Sequence, residues 1–200
     1  MSGLDLFSPQ VAPPARVGLY QTIMADPPWL ERGGGQIKRG ADRHYPLMPT
    51  KDICALPVGT WAAPDAHLYL WVTNNFLKDG FAVMDAWGFR YVTKITWTKA
   101  KDGRLEVPDE SDLQVGLGQY FRGCSEDVLF GVRGMVPYRL REDGKRAQGK
   151  TWFSAPRQEH SQKPESFRKT VEMVSTGPYL EMFARRPAPG WDVWGNEVAA

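Results

Sequence analysis

Short apolar segments typical of β-strands alternate with segments of helical periodicity along most of this chain of 200 residues. Strand patterns occupy residues 22–25, 67–73, 90–99 and 126–134, and "YLEMFAR" and "WDVWGNE" add two more near the C-terminus. Helical spacing occupies residues 74–88, where Gly88 ends the pattern, and residues 163–175, where Pro164 marks the start. This alternation predicts an α/β fold of three layers, with a mostly parallel central sheet covered on both faces.

The first strand runs into "DPPW", residues 26–29, which forms neither helix nor inner strand because its prolines lack amide donors. In doubly wound folds ligands bind at the carboxyl ends of strands, so this loop is a candidate site. The Asp26 carboxylate and the Pro27 carbonyl are acceptors without a competing donor, and Trp29 offers a planar ring on which a ligand could stack. A rigid turn with a packed tryptophan is the alternative.

Three long segments without periodicity interrupt the pattern, at residues 31–44, 100–112 and 135–150. Loops of this length are usually lids or disordered. The first and third are basic and could hold phosphates, whereas solvated loops without a partner are the alternative. The basic side chains are Arg32, Lys38, Arg39 and Arg43 in the first segment, and Arg139, Arg141, Lys145, Arg146 and Lys150 in the third. The formal net charge of +2 decides nothing about a partner.

Composition and motif content argue against several classes of protein. The 2 cysteines are far apart and only 3 histidines are present, which predicts neither a metal site nor a disulfide framework. No stretch reaches about 18 apolar residues, and the N-terminus lacks the pattern of a signal peptide, so we expect a cytoplasmic protein without a membrane segment. No GxGxxG is present, which argues against a dinucleotide site. Residues 1–18 are predicted to be a flexible arm and residues 19–200 a single domain.

Eight collinear segments between residues 18 and 198 resemble the DPPW-type family of N6-adenine methyltransferases, which includes the catalytic subunit of the eukaryotic messenger-RNA enzyme. They are "ADPPW", "HYPLM" with "TKDI", "LYLWVTN", "WGFRYVTKITWTK", "GQYFRGCSEDVLFGVRG", "HSQKPESF", "EMFARR" and "GWDVWGNE". The resemblance implies a Rossmann-like methyltransferase fold that uses S-adenosylmethionine. It also implies the permuted, beta-type motif order, because the DPPW loop precedes the cofactor half.

The resemblance assigns roles to individual residues. The catalytic set is Asp26, Pro27, Pro28 and Trp29, and the cofactor set is Asp26, Lys163, Phe183, Arg185, Asn196 and Glu197. The substrate set joins Trp29 and Tyr45 with the basic residues Arg39, Arg43, Arg141 and Lys145. A cation at a helix N-terminus, such as Lys163, is unfavourable unless an anion is nearby, which supports a special role for it. A side chain that points into water is the alternative for Lys163, core packing is the alternative for Phe183 and Tyr45, and a structural hydrogen bond is the alternative for His160.

We therefore expect transfer of a methyl group from S-adenosylmethionine to the N6 amino group of adenine in DNA. DNA is preferred over RNA because the chain is compact and carries neither zinc fingers nor an RNA-recognition motif. An RNA substrate and a non-catalytic nucleic-acid-binding partner of the same fold are the alternatives. The sequence does not distinguish a monomer from a homodimer.

Overall fold

The computed structural model describes residues 13–30, 47–101, 106–118, 120–157, 162–184 and 186–195. Within these ranges one sheet contains seven strands in the order β5-β3-β4-β2-β1-β6-β7. The strands are β1 (Tyr20–Ala25), β2 (Ala62–Val72), β3 (Arg90–Ala100), β4 (Ser125–Arg133), β5 (Trp152–Pro156), β6 (Tyr179–Met182) and β7 (Trp191–Trp194). The helices described are α1 (Thr50–Ala55), α2 (Val58–Trp61), α3 (Leu77–Ala86) and α4 (Glu165–Val174), with 3-10 turns at Asn74–Phe76 and Glu110–Asp112.

Six of these seven strands run in one direction. Strand β1 pairs in parallel with β2 and β6, β6 with β7, and β3 with β5. Only β4 is reversed, since it pairs antiparallel with both β2 and β3. The mostly parallel sheet is thus confirmed. The reversed β4 was not predicted, because an apolar segment of this length has the same pattern in either direction.

Helices cover both faces of the sheet, as the three-layer prediction requires. Along β2 the side chains alternate: Leu68 and Leu70 belong to the core beneath α1 and α3, whereas Tyr69 and Trp71 belong to the core beneath α4. The two cores lie on opposite sides of one sheet, which is the arrangement of a doubly wound α/β fold. The permuted motif order stays a prediction.

The segment predicted to be helical at residues 74–88 forms the 3-10 turn Asn74–Phe76 and then α3. Gly80 allows α3 to approach the sheet closely, since a Cβ there would lie 2.6 Å from a methyl carbon of Val72 and 2.8 Å from one of Leu129. Gly88 follows with a φ of +79°, the left-handed conformation that commonly ends a helix. Helices α1 and α2 and the short strand β5 were not predicted.

The strand directions define two edges. The carboxyl edge is the end of the sheet where the parallel strands finish, and the amino edge is where they begin. Because β4 is reversed, it begins at the carboxyl edge, with Asp127 opposite Val72, and finishes at the amino edge, with Arg133 opposite Ala66. The chain after β1, β3 and β6 therefore leaves the sheet at the carboxyl edge, and the chain after β4 leaves at the amino edge.

The end of the predicted N-terminal arm contacts the body of the protein. Gly18 donates a backbone hydrogen bond of 2.9 Å to Trp61, and Arg16 Nε lies 3.2 Å from a carboxylate oxygen of Asp192. Residues 1–12 lie outside the described residues, so the boundary at residue 18 stays a prediction. None of the helices within the described ranges has the length and apolar character needed to cross a membrane.

Candidate active site

The acid-proline loop is fixed to the carboxyl edge by backbone hydrogen bonds. The Asp26 amide donates to the Met182 carbonyl at 3.4 Å, and the Met48 amide donates to the Pro28 carbonyl at 2.7 Å. Both prolines are buried. The Pro27 carbonyl already accepts from the amide of Trp29 at 2.9 Å, which leaves one of its two lone pairs for another donor.

Trp29 is a packed residue in this structure. Its side chain is 7% exposed, its indole Nε1 donates to the Trp71 carbonyl at 3.1 Å, and its ring stacks on Phe76 with centroids 5.3 Å apart. These contacts show that Trp29 anchors the loop by packing, which is the alternative given for it in the sequence analysis. The contact of Trp29 with a base stays a prediction.

Lys163, at the start of the segment that enters α4, carries the main ion pair of the site. Its Nζ lies 2.8 Å from Asp26 Oδ2 and 3.3 Å from Glu126 Oε2, and its side chain is 16% exposed. The same nitrogen lies 5.2 Å from the centroid of the Trp71 ring. A cation beside a helix N-terminus needs nearby anions, and the structure supplies two carboxylates.

Glu126 extends this pair into a chain of alternating charges. Its Oε1 lies 2.6 Å from Lys99 Nζ, so the order is Lys99, Glu126, Lys163 and Asp26, which we call the ion-pair chain. Burial alone would lower the pKa of Lys163, but the carboxylates of Asp26 and Glu126 outweigh it and raise that pKa above its usual value. Burial would likewise raise the pKa of Glu126, but the ammonium groups of Lys163 and Lys99 outweigh it and lower that pKa.

A cavity of about 240 Å³ opens beside the ion-pair chain, between the carboxyl ends of β1 and β6 and the N-terminal turn of α4. Arg168 and Glu181 form a second ion pair in its wall at 2.6 Å. Burial raises the pKa of Glu181 although Arg168 opposes the shift. The charged side chains that line the cavity are Asp26, Lys163, Glu165, Arg168, Glu181 and Arg186, and the aromatic ones are Trp71, Phe167 and Phe183.

Phe183 lines this cavity in an unusual backbone conformation. It directly follows β6 with a φ of +61°, a left-handed conformation that bulky residues rarely adopt and that costs about 1–3 kcal/mol. Its amide donates to the Trp194 carbonyl at 2.6 Å, and its ring meets that of Trp194 edge-on with centroids 5.5 Å apart. The structure therefore brings Asp26, Lys163 and Phe183, three of the predicted site residues, to one cavity.

Arg141 and Lys145 are not brought to this cavity. Their loop leaves β4 at the amino edge, and the nearby Arg139 donates to the carbonyl of Ser175, just past the C-terminal end of α4, at 3.2 Å. Since α4 has 10 residues, its two ends are separated by about 15 Å. Any nucleic-acid contact of Arg141 and Lys145 is thus remote from the DPPW loop. The candidates Arg39, Arg43, Tyr45, His160, Arg185, Asn196 and Glu197 lie outside the described residues.

A hairpin at the carboxyl edge exposes large apolar side chains. It leaves β3 and returns to β4, and it is closed by a 2.7 Å hydrogen bond from the Gly116 amide to the Gly123 carbonyl. At its end Leu117, Tyr120 and Phe121 are 78%, 92% and 93% exposed. We call these three residues the apolar tip. The sequence reading did not identify them.

Sequence reasoning also missed Glu126, Arg168 and Glu181. For Glu181 a signal was present, because it is the one charged residue in the otherwise apolar strand β6. Arg168 directly follows the buried Phe167 on α4. In an amphipathic helix an arginine at such a position is usually a surface residue, so nothing in the sequence singled it out. No local pattern distinguished Glu126, since acids are common at strand ends.

A doubly wound α/β sheet with an acid-proline loop at the carboxyl end of β1, next to a charged cavity, defines a Rossmann-like methyltransferase. The model of the MT-A70 family matches residues 20–197, and the chain belongs to this family.

Three relatives of this chain carry informative names. It is 27% identical to the type II methyltransferase M.MunI of Mycoplasma sp over 90% of its own length and 78% of that protein. It is 28% identical to the human N(6)-adenine-specific methyltransferase METTL4, over 90% of the chain and 37% of the relative. It is also 28% identical to the N6-methyladenosine RNA methyltransferase MTA1 of Cryphonectria parasitica, over 92% of the chain and 53% of the relative. The chain thus spans about a third to a half of the length of the last two.

Proposed function

We propose that this protein transfers a methyl group from S-adenosylmethionine to the N6 amino group of adenine in DNA. The observation that carries the proposal is the 2.8 Å ion pair between Asp26 of the acid-proline loop and Lys163 at the cavity. In this ion pair Asp26, the carboxylate predicted to bind the target amine, contacts Lys163, the cation predicted to bind the cofactor. Family membership and relatives named as N6-adenine methyltransferases support the reaction class.

Donor and acceptor groups in the cavity support the proposal of S-adenosylmethionine as the cofactor. The cavity is lined by both carboxylates and cations, which suits the amino-acid zwitterion of that molecule, and the aromatic rings suit its cationic and planar parts. Arg168 Nε is buried and has no hydrogen-bond partner among the described residues, so the wall still offers a donor. Lys163 would hold the cofactor carboxylate and Phe183 would form a wall. When bound, the cofactor supplies an electrophilic methyl group on a sulfonium.

The contribution of the chain is to orient and polarise the target amine. The Asp26 carboxylate can accept from one amine hydrogen while it keeps Lys163, because a carboxylate offers about four acceptor positions. The remaining lone pair of the Pro27 carbonyl can accept from the other hydrogen. Both contacts favour a nitrogen lone pair that points away from the loop, and holding it in line for attack is the main source of rate acceleration. The amine becomes far more acidic after methylation, so its proton is lost after the transfer.

The carboxyl edge is the surface we propose for contact with nucleic acid. It carries the DPPW loop and the apolar tip, and Tyr120 and Phe121 can stack on unpaired bases. An extruded base in duplex DNA and a base in a single strand both fit this arrangement. RNA is the second candidate substrate, favoured by the name of the relative from Cryphonectria parasitica.

The test is methylation of matched DNA and RNA oligonucleotides with a labelled methyl donor, followed by nucleoside analysis. We expect N6-methylated deoxyadenosine from the parent and at least a hundredfold less from Asp26→Ala, since positioned polar groups in active sites typically contribute 10²–10³ in rate. Label in adenosine alone would assign the RNA substrate. Equal label from the parent and the variant would remove Asp26 from the mechanism, and label in cytosine would contradict the assigned base.

A further inference from the structure

We infer that Glu126 is a positioning residue, which holds the Lys163 ammonium at the cavity so that it can receive the carboxylate of the cofactor. This inference rests on the proposed function, because it concerns the cofactor assigned there. Neither the acid-proline loop nor the segment before α4 contains Glu126. It belongs to β4, the reversed strand.

Each carboxylate oxygen of Glu126 contacts a different cation. Oε1 faces Lys99 at 2.6 Å and Oε2 faces Lys163 at 3.3 Å, and the side chain is 15% exposed. Lys163 is thereby fixed from two sides, by Glu126 and by Asp26, with the Trp71 ring 5.2 Å from its nitrogen. An ammonium has three N–H donors, and these two carboxylates account for two of them. The third can donate to a ligand in the cavity, which Lys163 lines.

The charges explain why a second carboxylate is needed. If Asp26 alone held Lys163, an arriving cofactor carboxylate would compete with Asp26 for the ammonium and draw it out of place. Glu126 restrains the ammonium independently of Asp26, and Lys99 balances the added negative charge. The other charged groups that face the cavity are Glu165, Arg168, Glu181 and Arg186, of which Arg168 and Glu181 neutralise each other.

Asp127 provides a matched control on the same strand. It is also a carboxylate paired with a lysine, with Asp127 Oδ1 2.9 Å from Lys94 Nζ, and its side chain is 7% exposed. Consecutive residues of a strand point to opposite faces, so Asp127 faces away from Glu126. Asp127→Asn therefore removes a comparable ion pair from β4 without touching the ion-pair chain.

The experiment measures binding by calorimetry for two probes, S-adenosylhomocysteine, which has the amino-acid group with its carboxylate, and 5′-methylthioadenosine, which lacks that whole group. At pH 7.5 we expect Glu126→Gln to weaken the binding of S-adenosylhomocysteine about tenfold and that of methylthioadenosine less than twofold. Asp127→Asn should change neither by more than about twofold. Between pH 7 and 9.5 the affinity of the parent should change only as the α-amino group of the probe loses its proton. That of Glu126→Gln should fall more steeply than that of the parent, because Lys163 with one carboxylate fewer loses its proton at lower pH.

Each outcome decides a separate question. Glu126→Asp keeps the charge and should restore the pH profile of the parent, which a merely structural role would not predict. Equal weakening of both probes by Glu126→Gln, or affinities equal to those of Asp127→Asn, would overturn the positioning role. Should Glu126→Gln fail to fold, a profile in Glu126→Asp that is steeper than that of the parent would overturn it as well. A parent that binds neither probe would instead overturn the proposed cofactor, and the inference with it.

Discussion

Lys163→Met is the substitution that most directly tests the ion-pair chain. Methionine keeps the length of the side chain and removes its charge. In the parent the Lys163 ammonium lies 2.8 Å from one carboxylate and 3.3 Å from another, both partly buried. The variant leaves Asp26 and Glu126 as neighbouring carboxylates with no ammonium between them, although Glu126 keeps Lys99 at 2.6 Å.

The expected loss in the free energy of unfolding follows from burial. Removing one partner of a fully buried ion pair costs about 3–5 kcal/mol. The side chains of Lys163, Asp26 and Glu126 are 16%, 25% and 15% exposed, so water screens them partly, and Lys99 still compensates Glu126. We therefore expect a loss of about 2–3 kcal/mol at pH 8. Lys163→Arg keeps the charge and should lose less than about half of that.

Urea unfolding at pH 8 and at pH 4 provides the measurement. In the parent the pKa of Glu126 is held below its usual value, so its stabilising effect is present above the unfolded pKa of about 4.5 and is lost as the pH falls through the lower, folded pKa. In the variant the carboxylates protonate at higher pH, which relieves their repulsion. The difference between parent and Lys163→Met should accordingly shrink on acidification. A difference that stays constant from pH 8 to pH 4 would refute this electrostatic account.

Two further predictions concern other parts of the fold. Burial lowers the pKa of His67 from 6.5 to about 4, so the unfolded chain binds the proton more readily and stability falls as the pH drops below 6.5. Between pH 7 and pH 5 the parent should lose about 2 kcal/mol more than His67→Asn in urea unfolding, and equal losses would contradict the assignment. The pair Tyr120→Ala and Phe121→Ala should weaken nucleic-acid binding tenfold or more in fluorescence anisotropy, because a stacked base contributes about 1–3 kcal/mol. Arg141→Ala, at the amino edge, is the control and should reduce the affinity for nucleic acid less. A larger loss in Arg141→Ala than in the aromatic variants would place the contact surface at the amino edge instead.

Six strands of the sheet and the helices α3 and α4 could be predicted because most of their residues form periodic patterns. The strand predicted at residues 90–99 is β3, and the helical spacing from Phe76 to Trp87 is a real buried face. The short elements were missed for the opposite reason. Helix α2 has 4 residues and β5 has 5, too few to establish a period, and β5 ends in a proline that argues against a strand.

The candidate site was predicted where chemistry and local backbone rules coincide. Asp26 follows a strand and precedes two prolines, and Lys163 is a cation beside a helix N-terminus, so each is conspicuous without a structure. Trp29 shows the limit of this reasoning, because the same indole suits a base or a core, and only its contacts with Phe76 and Trp71 show the packing role. The basic loops show a second limit. Charge along the chain does not tell at which edge a loop leaves the sheet.

Glu126 shows why a rule based on strand ends finds only part of such a site. The rule that ligands gather at the carboxyl ends of strands directs attention to residues that follow each strand, as Asp26 follows β1. In a mixed sheet the reversed strand has its first residues at that edge, so Glu126 at the start of β4 lies opposite Trp97 in the last part of β3. The direction of one strand, which its apolar pattern does not reveal, thus decides whether Glu126 meets Lys163 or lies at the far end of the sheet.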